Sequence, residues 1–212
     1  MNKMFKDYQK LVFFDFETTG IDVSGEPNIG CFPIELAMLV TDCNLNIIGK
    51  SFSSLINWDI FKTKTIRENW DTLGATKVHG IKLEEVMDCG VLHKAVCTHC
   101  KDDILMPQII EMYFEELKIR HEDELILVSD NPYFDFTLMK KLYNVKIDGG
   151  QIKFPFHYNC YSPMLLFKAL GMNINNCKSH RAMGDVNALY KSCVIAFDRL
   201  GKFNKKEKIN VK

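Results

Sequence analysis

The stretch LVFFDFETTG, residues 11–20, carries the strongest fold signal in the chain. Residues 11–17 are rich in aromatic and aliphatic side chains, which favours a buried strand. Two acids interrupt this strand, at Asp15 and Glu17. Because they are spaced i and i+2, both project from the strand face that carries Leu11 and Phe13. The pattern predicts a core-facing row of side chains that ends in two carboxylates.

Further strand and helix signals predict an α/β domain around this strand. Strand-like runs at residues 34–41 and 47–56 flank a turn signal at 42–44, which predicts a three-stranded antiparallel meander. The later strands are predicted over 125–129 and 151–158, and the longer helices over 103–118, 132–143, 162–170 and 182–200. This order predicts one domain over residues 1–201, with a central mixed five-stranded sheet flanked by helices, and a lysine-rich tail over 202–212.

Composition and charge exclude several classes of function. The 212 residues include 27 lysines and arginines against 27 aspartates and glutamates, so the chain is not a basic protein that coats nucleic acid. There is no run of about 18 apolar residues, and the acids interrupt the N-terminal apolar run, so no signal peptide is predicted. We expect a soluble intracellular protein without membrane contact, whose cysteines are reduced.

Two more acids lie where helices begin. Asp135 lies in the first turn of the helix predicted over 132–143 and precedes Leu138 and Leu142 on its apolar face, so its carboxylate points towards the sheet. The helix dipole alone favours a first-turn acid by about 0.3–1 kcal/mol, but it does not explain this direction. Asp185 precedes Leu189 by four residues and opens the core face of the last helix in the same way.

Four acids from three separate elements therefore predict a metal site. Taken singly, each has a simpler interpretation, such as a strand end that emerges into solvent or a helix cap. Together, like charges in a partly buried site are costly unless a cation neutralises them. Oxygen ligands without a cysteine or histidine cage favour Mg²⁺ or Mn²⁺ over zinc.

Three motifs in this order resemble the DEDDh, or DnaQ-like, 3′→5′ exonuclease family. They are Asp15-Phe16-Glu17-Thr18-Thr19-Gly20, then residues 131–135, then His180 and Asp185 with four residues between them. The segment Val78-His79-Gly80-Ile81 also looks like one that occurs in the family. The resemblance implies an RNase H-like fold and the release of 5′-mononucleotides from the 3′ end of DNA or RNA, with single-stranded ends preferred.

The resemblance also implies a role for each motif residue. Asp15, Glu17, Asp135 and Asp185 would hold two divalent ions, Mg²⁺ or Mn²⁺, at the reacting phosphate. His180 would deprotonate the attacking water, a task that suits an imidazole because its unperturbed pKa is about 6.5. Taken alone, a histidine near a helix start is more typical of a surface residue or a cap.

The expected substrate contacts are Thr18, Asn131 and Phe16, by analogy with the family. The ring of Phe16, together with those of Tyr133 and Phe134, can either stack on bases or pack in the core. We expect core packing for at least one of the three.

Two features depart from the family pattern. Asp130 stands where the family often has histidine, and an extra acid there would repel phosphate or shift a metal. The loop over residues 21–33 is longer than the tight versions in the family, which suits a role in shaping the substrate groove.

Two alternatives stay open. A nuclease-like module that binds nucleic acid without cutting it, or a proofreading subunit within a polymerase assembly, would share these motifs, but a degenerate module has no need for all five motif residues.

A cluster of cysteines and histidines predicts either reduced thiols in an exposed insertion, which we expect, or a zinc clip. Its members are Cys89, His93, Cys97, His99 and Cys100.

Overall fold

The computed structural model describes residues 6–20, 31–72, 74–89, 91–92, 105–144, 146–147, 150–172 and 180–207. Its strands are β1 (Gln9–Thr18), β2 (Pro33–Thr41), β3 (Phe52–Asn57), β4 (Val91–Leu92), β5 (Glu124–Val128), β6 (Lys146–Ile147), β7 (Gly150–Gln151) and β8 (Phe156–Tyr161). Its α-helices are α1 (Lys64–Asn69), α2 (Gly74–His79), α3 (Leu83–Cys89), α4 (Met106–Glu116), α5 (Pro132–Tyr143), α6 (Met164–Ala169) and α7 (Ala182–Glu207).

One mixed sheet organises the described part of the chain, with the strand order β4-β3-β2-β1-β5-β8. The first three long strands form the predicted antiparallel meander, and β5 and β8 continue the sheet in parallel to β1. These five strands are the predicted mixed sheet, and the short strand β4 extends its β3 edge. A separate antiparallel pair is formed by β6 and β7. The predicted fold class is confirmed.

The side chains of β1 alternate between two hydrophobic cores on opposite faces of the sheet. Val12 and Phe14 pack in the larger core, to which α4 and α5 contribute. Leu11 and Phe13 pack in the smaller core with α7, where the ring of Phe13 lies edge-on to that of Tyr190 with 5.6 Å between centroids. The face of β1 that carries the two acids is therefore the face that α7 covers.

The connection from β2 to β3 is longer than the predicted turn. The Asp42 carboxylate accepts hydrogen bonds from the backbone N–H groups of Asn44 and Asn46, at 2.8 and 2.9 Å. Gly49 then adopts a φ of +67°, which glycine tolerates, and a Cβ there would clash with Leu117. Because these residues form a loop, β3 begins at Phe52 rather than at residue 47.

Other parts of the sequence prediction differ from the structure in their bounds or lie outside its description. Helix α7 continues past residue 200 to Glu207, into the segment predicted as a tail. The strand predicted over 151–158 is divided between β7 and β8. The predicted cysteine–histidine cluster lies outside the described residues, apart from the backbone of Cys89. Within the described ranges, no helix has the length and apolar character needed to cross a membrane.

Candidate active site

The acids predicted as metal ligands meet at the side of the sheet where strands β1 and β5 end. The two strands are parallel neighbours, so their carboxyl ends lie side by side. Asp15 and Glu17 lie near the end of β1. Asp135 is in the first turn of α5, which follows β5, and Asp185 is in the first turn of α7. Segments that are far apart in sequence thus bring their carboxylates together.

The carboxylates form two groups that share one residue. Ligand oxygens of Asp15, Glu17 and Asp185 lie within 4.8 Å of one another, and the same holds for those of Asp15, Asp130 and Asp135. Asp15 is therefore common to both groups. Each group offers only oxygen ligands, which is the donor set that hard divalent cations such as Mg²⁺ and Mn²⁺ prefer. The residues present fit the ions that the sequence motifs imply.

Burial and mutual repulsion raise the pKa values of these acids. Burial raises the pKa of Asp15 well above its usual range, and the charges of Asp135 and Glu17 raise it further. Burial, followed by the charge of Asp185, raises the pKa of Glu17 from 4.5 to about 8. A cation bound among the carboxylates would offset this repulsion.

Ser129 orients the carboxylate of Asp135. Its buried hydroxyl donates a hydrogen bond to that carboxylate and accepts one from the backbone N–H of Asn131 at 3.0 Å. Burial raises the pKa of Asp135 from 3.8 to about 7; the Ser129 hydrogen bond opposes this rise, and the charge of Asp130 adds to it. Only 2% of the Asp135 surface is exposed, so the predicted inward direction of this side chain is confirmed.

These shifts predict that the metal-free protein loses stability as the pH rises from about 4 to 8. Glu17 and Asp135 have folded-state pKa values of about 8 and 7, above the usual 4.5 and 3.8. The folded protein therefore binds protons at these two residues more tightly than the unfolded chain does. The stability that this difference provides is lost as the pH rises through this range and both carboxyl groups ionise. Thermal unfolding of chelator-treated protein at several pH values measures the effect, and Mn²⁺ should restore stability at the upper end.

The matched control for this prediction is Asp15→Asn, which removes one of the interacting charges. Its unfolding temperature without metal should fall less steeply with pH than that of the unmodified protein. Equal slopes for the two proteins would show that the acidic cluster does not set the pH dependence.

Asp130 is the acid whose place in the site the sequence did not reveal. The motif indicates it only as a departure from the family pattern. Its side chain is exposed, yet its carboxylate belongs to the group with Asp15 and Asp135. The hydroxyl of Ser162 donates to its backbone oxygen at 3.1 Å, which anchors the segment to the end of β8. The structure thus adds a fifth carboxylate to the predicted four.

His180, the predicted general base, lies just before α7 with its side chain exposed. It belongs to neither of the two clusters of acids, so, unlike them, it is not one of the candidate metal ligands. Its backbone φ of +41° is in the left-handed region that residues other than glycine seldom adopt. The next residue, Arg181, pairs with the buried Glu35 of β2 at 2.7 Å.

The predicted substrate contacts have different surroundings. Asn131 is exposed at the start of α5, and its side chain makes no capping hydrogen bond to that helix. Thr18 is buried, and its hydroxyl donates to the backbone oxygen of Gly20 at 2.6 Å. Phe16 is only 5% exposed and packs edge-on against Phe14 in the larger core. The alternation of β1 turns this ring into the core rather than towards the acids, so we do not propose it as a substrate contact.

The two neighbouring aromatic side chains also differ in exposure. Phe134 packs against the larger core, as expected for at least one of the three rings. Tyr133 is 78% exposed in the first turn of α5, close in sequence to the acids. It is the ring of this set that is accessible to a ligand.

His79 supports the backbone that follows the acids of β1. Its Nδ1 accepts a hydrogen bond from the N–H of Ile81 at 3.0 Å, so Nε2 carries the proton that is directed to the backbone oxygen of Thr18, 3.2 Å away. Burial lowers the pKa of His79, which favours the neutral ring, and the hydrogen bond to the backbone of Thr18 opposes this shift. The segment that resembles the family at residues 78–81 therefore has a structural role beside the site.

No protein-family model matches the sequence, and no curated protein matches it by sequence comparison. Solved structures with a similar fold include several exonucleases. The zinc-bound complex of Escherichia coli exonuclease I with single-stranded DNA has a TM-score of 0.59 and 16% identity, covering 95% of this chain and 44% of that chain. Exonuclease I of Methylocaldum szegediense has a TM-score of 0.58 and 16% identity, covering 91% and 41%.

A third similar structure is a 3′-exonuclease described for its 3′-end-specific recognition of a histone mRNA stem-loop. Its TM-score is 0.56 at 13% identity, and the match covers 92% of this chain and 84% of that chain. The present chain thus spans less than half the length of the exonuclease I proteins and most of the length of the 3′-exonuclease. It has the RNase H-like fold that these exonucleases share.

Proposed function

We propose that this chain is a metal-dependent 3′→5′ exonuclease that hydrolyses the phosphodiester bonds of nucleic acid and releases 5′-mononucleotides. The observation that carries this proposal is the presence of two clusters of three acids each, which share Asp15 near the end of β1. The fold supports it, since the similar structures are exonucleases of more than one kind.

We propose that the two groups of acids are the ligands of two cations. Asp15, Glu17 and Asp185 would hold one ion, and Asp15, Asp130 and Asp135 would hold the other. When bound, Mg²⁺ or Mn²⁺ supplies positive charge to the reacting phosphate and lowers the pKa of water. Without that charge, the acids would repel the phosphate group that they must approach.

His180 would act as the general base. A neutral imidazole nitrogen would accept a proton from the water that attacks the phosphorus of the last phosphodiester. As the new bond from water oxygen to phosphorus forms, the bond from phosphorus to the 3′-oxygen of the preceding nucleotide breaks and that oxygen takes up a proton from solvent, which leaves a 5′-mononucleotide and a strand shortened by one residue. The exposed side chain of His180 can exchange the accepted proton with solvent.

The proposed substrate is the 3′ end of a DNA or RNA strand. Similar structures are described in complex with single-stranded DNA or in recognition of an mRNA stem-loop. Asn131 and the backbone near Thr18 remain the proposed contacts to the terminal nucleotide. The exposed ring of Tyr133 offers a face on which a base can stack.

The test is the digestion of single-stranded DNA and RNA that carry a 5′ label, with Mg²⁺ or Mn²⁺. We expect mononucleotides and a ladder of shortened strands, loss of activity with a chelator, and block by a 3′-terminal phosphate. Equal cleavage of circular and linear strands would indicate an endonuclease. Binding without release of nucleotides would indicate the non-catalytic module.

Asp130→Asn should lower the apparent affinity for Mn²⁺ by about 10- to 100-fold, because one carboxylate charge is lost from the group that includes Asp135. The rate should recover largely at saturating Mn²⁺. Metal titration of single-turnover digestion measures both effects, with Glu116→Gln on the exposed end of α4 as the control. Unchanged metal affinity with a faster reaction would mean that Asp130 repels phosphate instead.

A further inference from the structure

A buried ion pair joins strand β2 to the start of helix α7. Glu35 lies in β2, where every residue is buried, and only 4% of its own surface is exposed. Its two carboxylate oxygens accept hydrogen bonds from Arg181, from Nε at 3.0 Å and from Nη2 at 2.7 Å. A charge at this depth is costly unless it is paired and hydrogen-bonded, so the partners of Glu35 are a requirement of the fold.

The same carboxylate also caps α7. The backbone N–H of Ala182, the first residue of the helix, donates to Oε2 of Glu35 at 3.1 Å. A negative group here satisfies a helix N–H that has no partner within the helix and interacts favourably with the helix dipole. One side chain of β2 therefore anchors two consecutive residues, Arg181 and Ala182.

His180 directly precedes these two anchored residues. Its left-handed backbone, with φ at +41°, is disfavoured for a residue with a Cβ and persists where the surrounding structure imposes it. The bidentate contact between Arg181 and Glu35 sets the direction of the guanidinium as well as its distance. It thereby restricts the backbone at the adjacent His180.

The ion pair also balances charge next to the acids. Glu35 lies directly opposite Glu17 on the neighbouring strand. Its negative charge would add to that of the carboxylate groups, but the guanidinium of Arg181 has the opposite effect on Glu17. The pair can therefore anchor the chain before α7 without increasing the negative charge that the site must neutralise.

We propose that Glu35, acting through Arg181, is a positioning residue that holds His180 in the orientation in which it accepts the proton. This inference rests on the function proposed above. Glu35 is buried and does not touch the reacting groups. The Arg181 side chain is 42% exposed, so direct contact between its guanidinium and the substrate phosphate is the competing role that the experiment must separate.

The experiment compares Glu35→Gln, His180→Ala and the double variant in single-turnover digestion at saturating metal. Glu35→Gln should lower the maximal rate by about 10- to 100-fold, since a small displacement of a catalytic group has this effect, and should leave KM within about threefold. The double variant should be no slower than His180→Ala alone, because the first change acts only through the imidazole. Rate losses that multiply would overturn the proposal.

Asp123→Asn is the matched control. It disrupts another partly buried ion pair, with Lys10 at 3.3 Å, at the opposite end of β1. Its effect on rate should be small, and it should combine multiplicatively with that of His180→Ala.

Arg181→Lys keeps the charge beside Glu35 but loses the bidentate contact. It should lower the maximal rate as Glu35→Gln does, and it carries the test if Glu35→Gln does not fold. A raised KM with an unchanged maximal rate would assign Arg181 to phosphate binding and overturn the proposal.

A second measurement keeps this inference separate from the proposed function. The NMR signals of the His180 imidazole, assigned by their loss in His180→Ala, should shift or broaden in Glu35→Gln and remain unchanged in Asp123→Asn. Unchanged His180 signals in Glu35→Gln overturn the positioning role, whether or not the protein hydrolyses nucleic acid. If the unmodified protein is inactive on every strand, the proposed function fails, and the NMR result alone decides whether Glu35 orients His180.

Discussion

Asp15→Asn should abolish hydrolysis, with a rate loss of at least about 10³-fold, because Asp15 is the carboxylate that both groups share. Asparagine has nearly the same shape but lacks the charge. Neither proposed cation would then retain its full set of ligands. Single-turnover digestion and Mn²⁺ titration of the same sample measure the rate and the affinity, and both should fall.

Asp185→Asn is the informative comparison, because Asp185 belongs to only one group. It should weaken one class of bound Mn²⁺ and leave the other, whereas Asp15→Asn should weaken both. Glu116→Gln, which removes an exposed charge at the end of α4, should affect neither. If Asp15→Asn kept two bound ions with unchanged affinity, the assignment of Asp15 as the shared ligand would be wrong.

The same substitution should have the opposite effect on stability. Asp15 is held among four other carboxylates that raise its pKa or have their own pKa raised by burial. Removing its charge relieves repulsion in the metal-free protein, so the unfolding temperature at about pH 8 should rise as activity is lost. Such a trade-off is typical of sites where function requires an unfavourable arrangement of charges.

His180→Ala should lower the rate by about 10²- to 10⁴-fold, the usual contribution of a positioned general base. Its metal affinity should stay close to that of the unmodified protein, because His180 belongs to neither carboxylate group. An imidazole accepts a proton only when neutral, so part of the dependence of the rate on pH should come from His180. In the variant, that part should disappear.

The matched control is His121→Ala, which removes an exposed histidine from the loop before β5. It should change neither the rate nor its pH dependence. Because the acids also bind protons, the pH series is run at saturating Mn²⁺, so that changes in metal occupancy do not imitate a titrating base. Turnover of His180→Ala equal to that of the unmodified protein at neutral pH would refute the base role.

The sequence alone determined the elements that position the site. The period-two alternation of residues 11–17 is a local property of a strand, so it sufficed to predict that Asp15 and Glu17 share a face with Leu11 and Phe13. The helical spacing from Asp135 to Leu138 likewise predicted a carboxylate directed inwards. The same alternation, applied to Phe16, would have predicted its burial, since it follows Val12 and Phe14 on the other face.

Only the tertiary structure decided which side chains meet. Asp130 joins Asp15 because β1 and β5 end side by side, and no local pattern in either segment encodes their distance. A single acid in the apolar strand β2 signals that Glu35 needs a partner, but its partner Arg181 lies 146 residues later. Hydrophobic periodicity reports which face of an element is buried, whereas the choice of contact between distant charges depends on the order and direction of strands in the folded sheet.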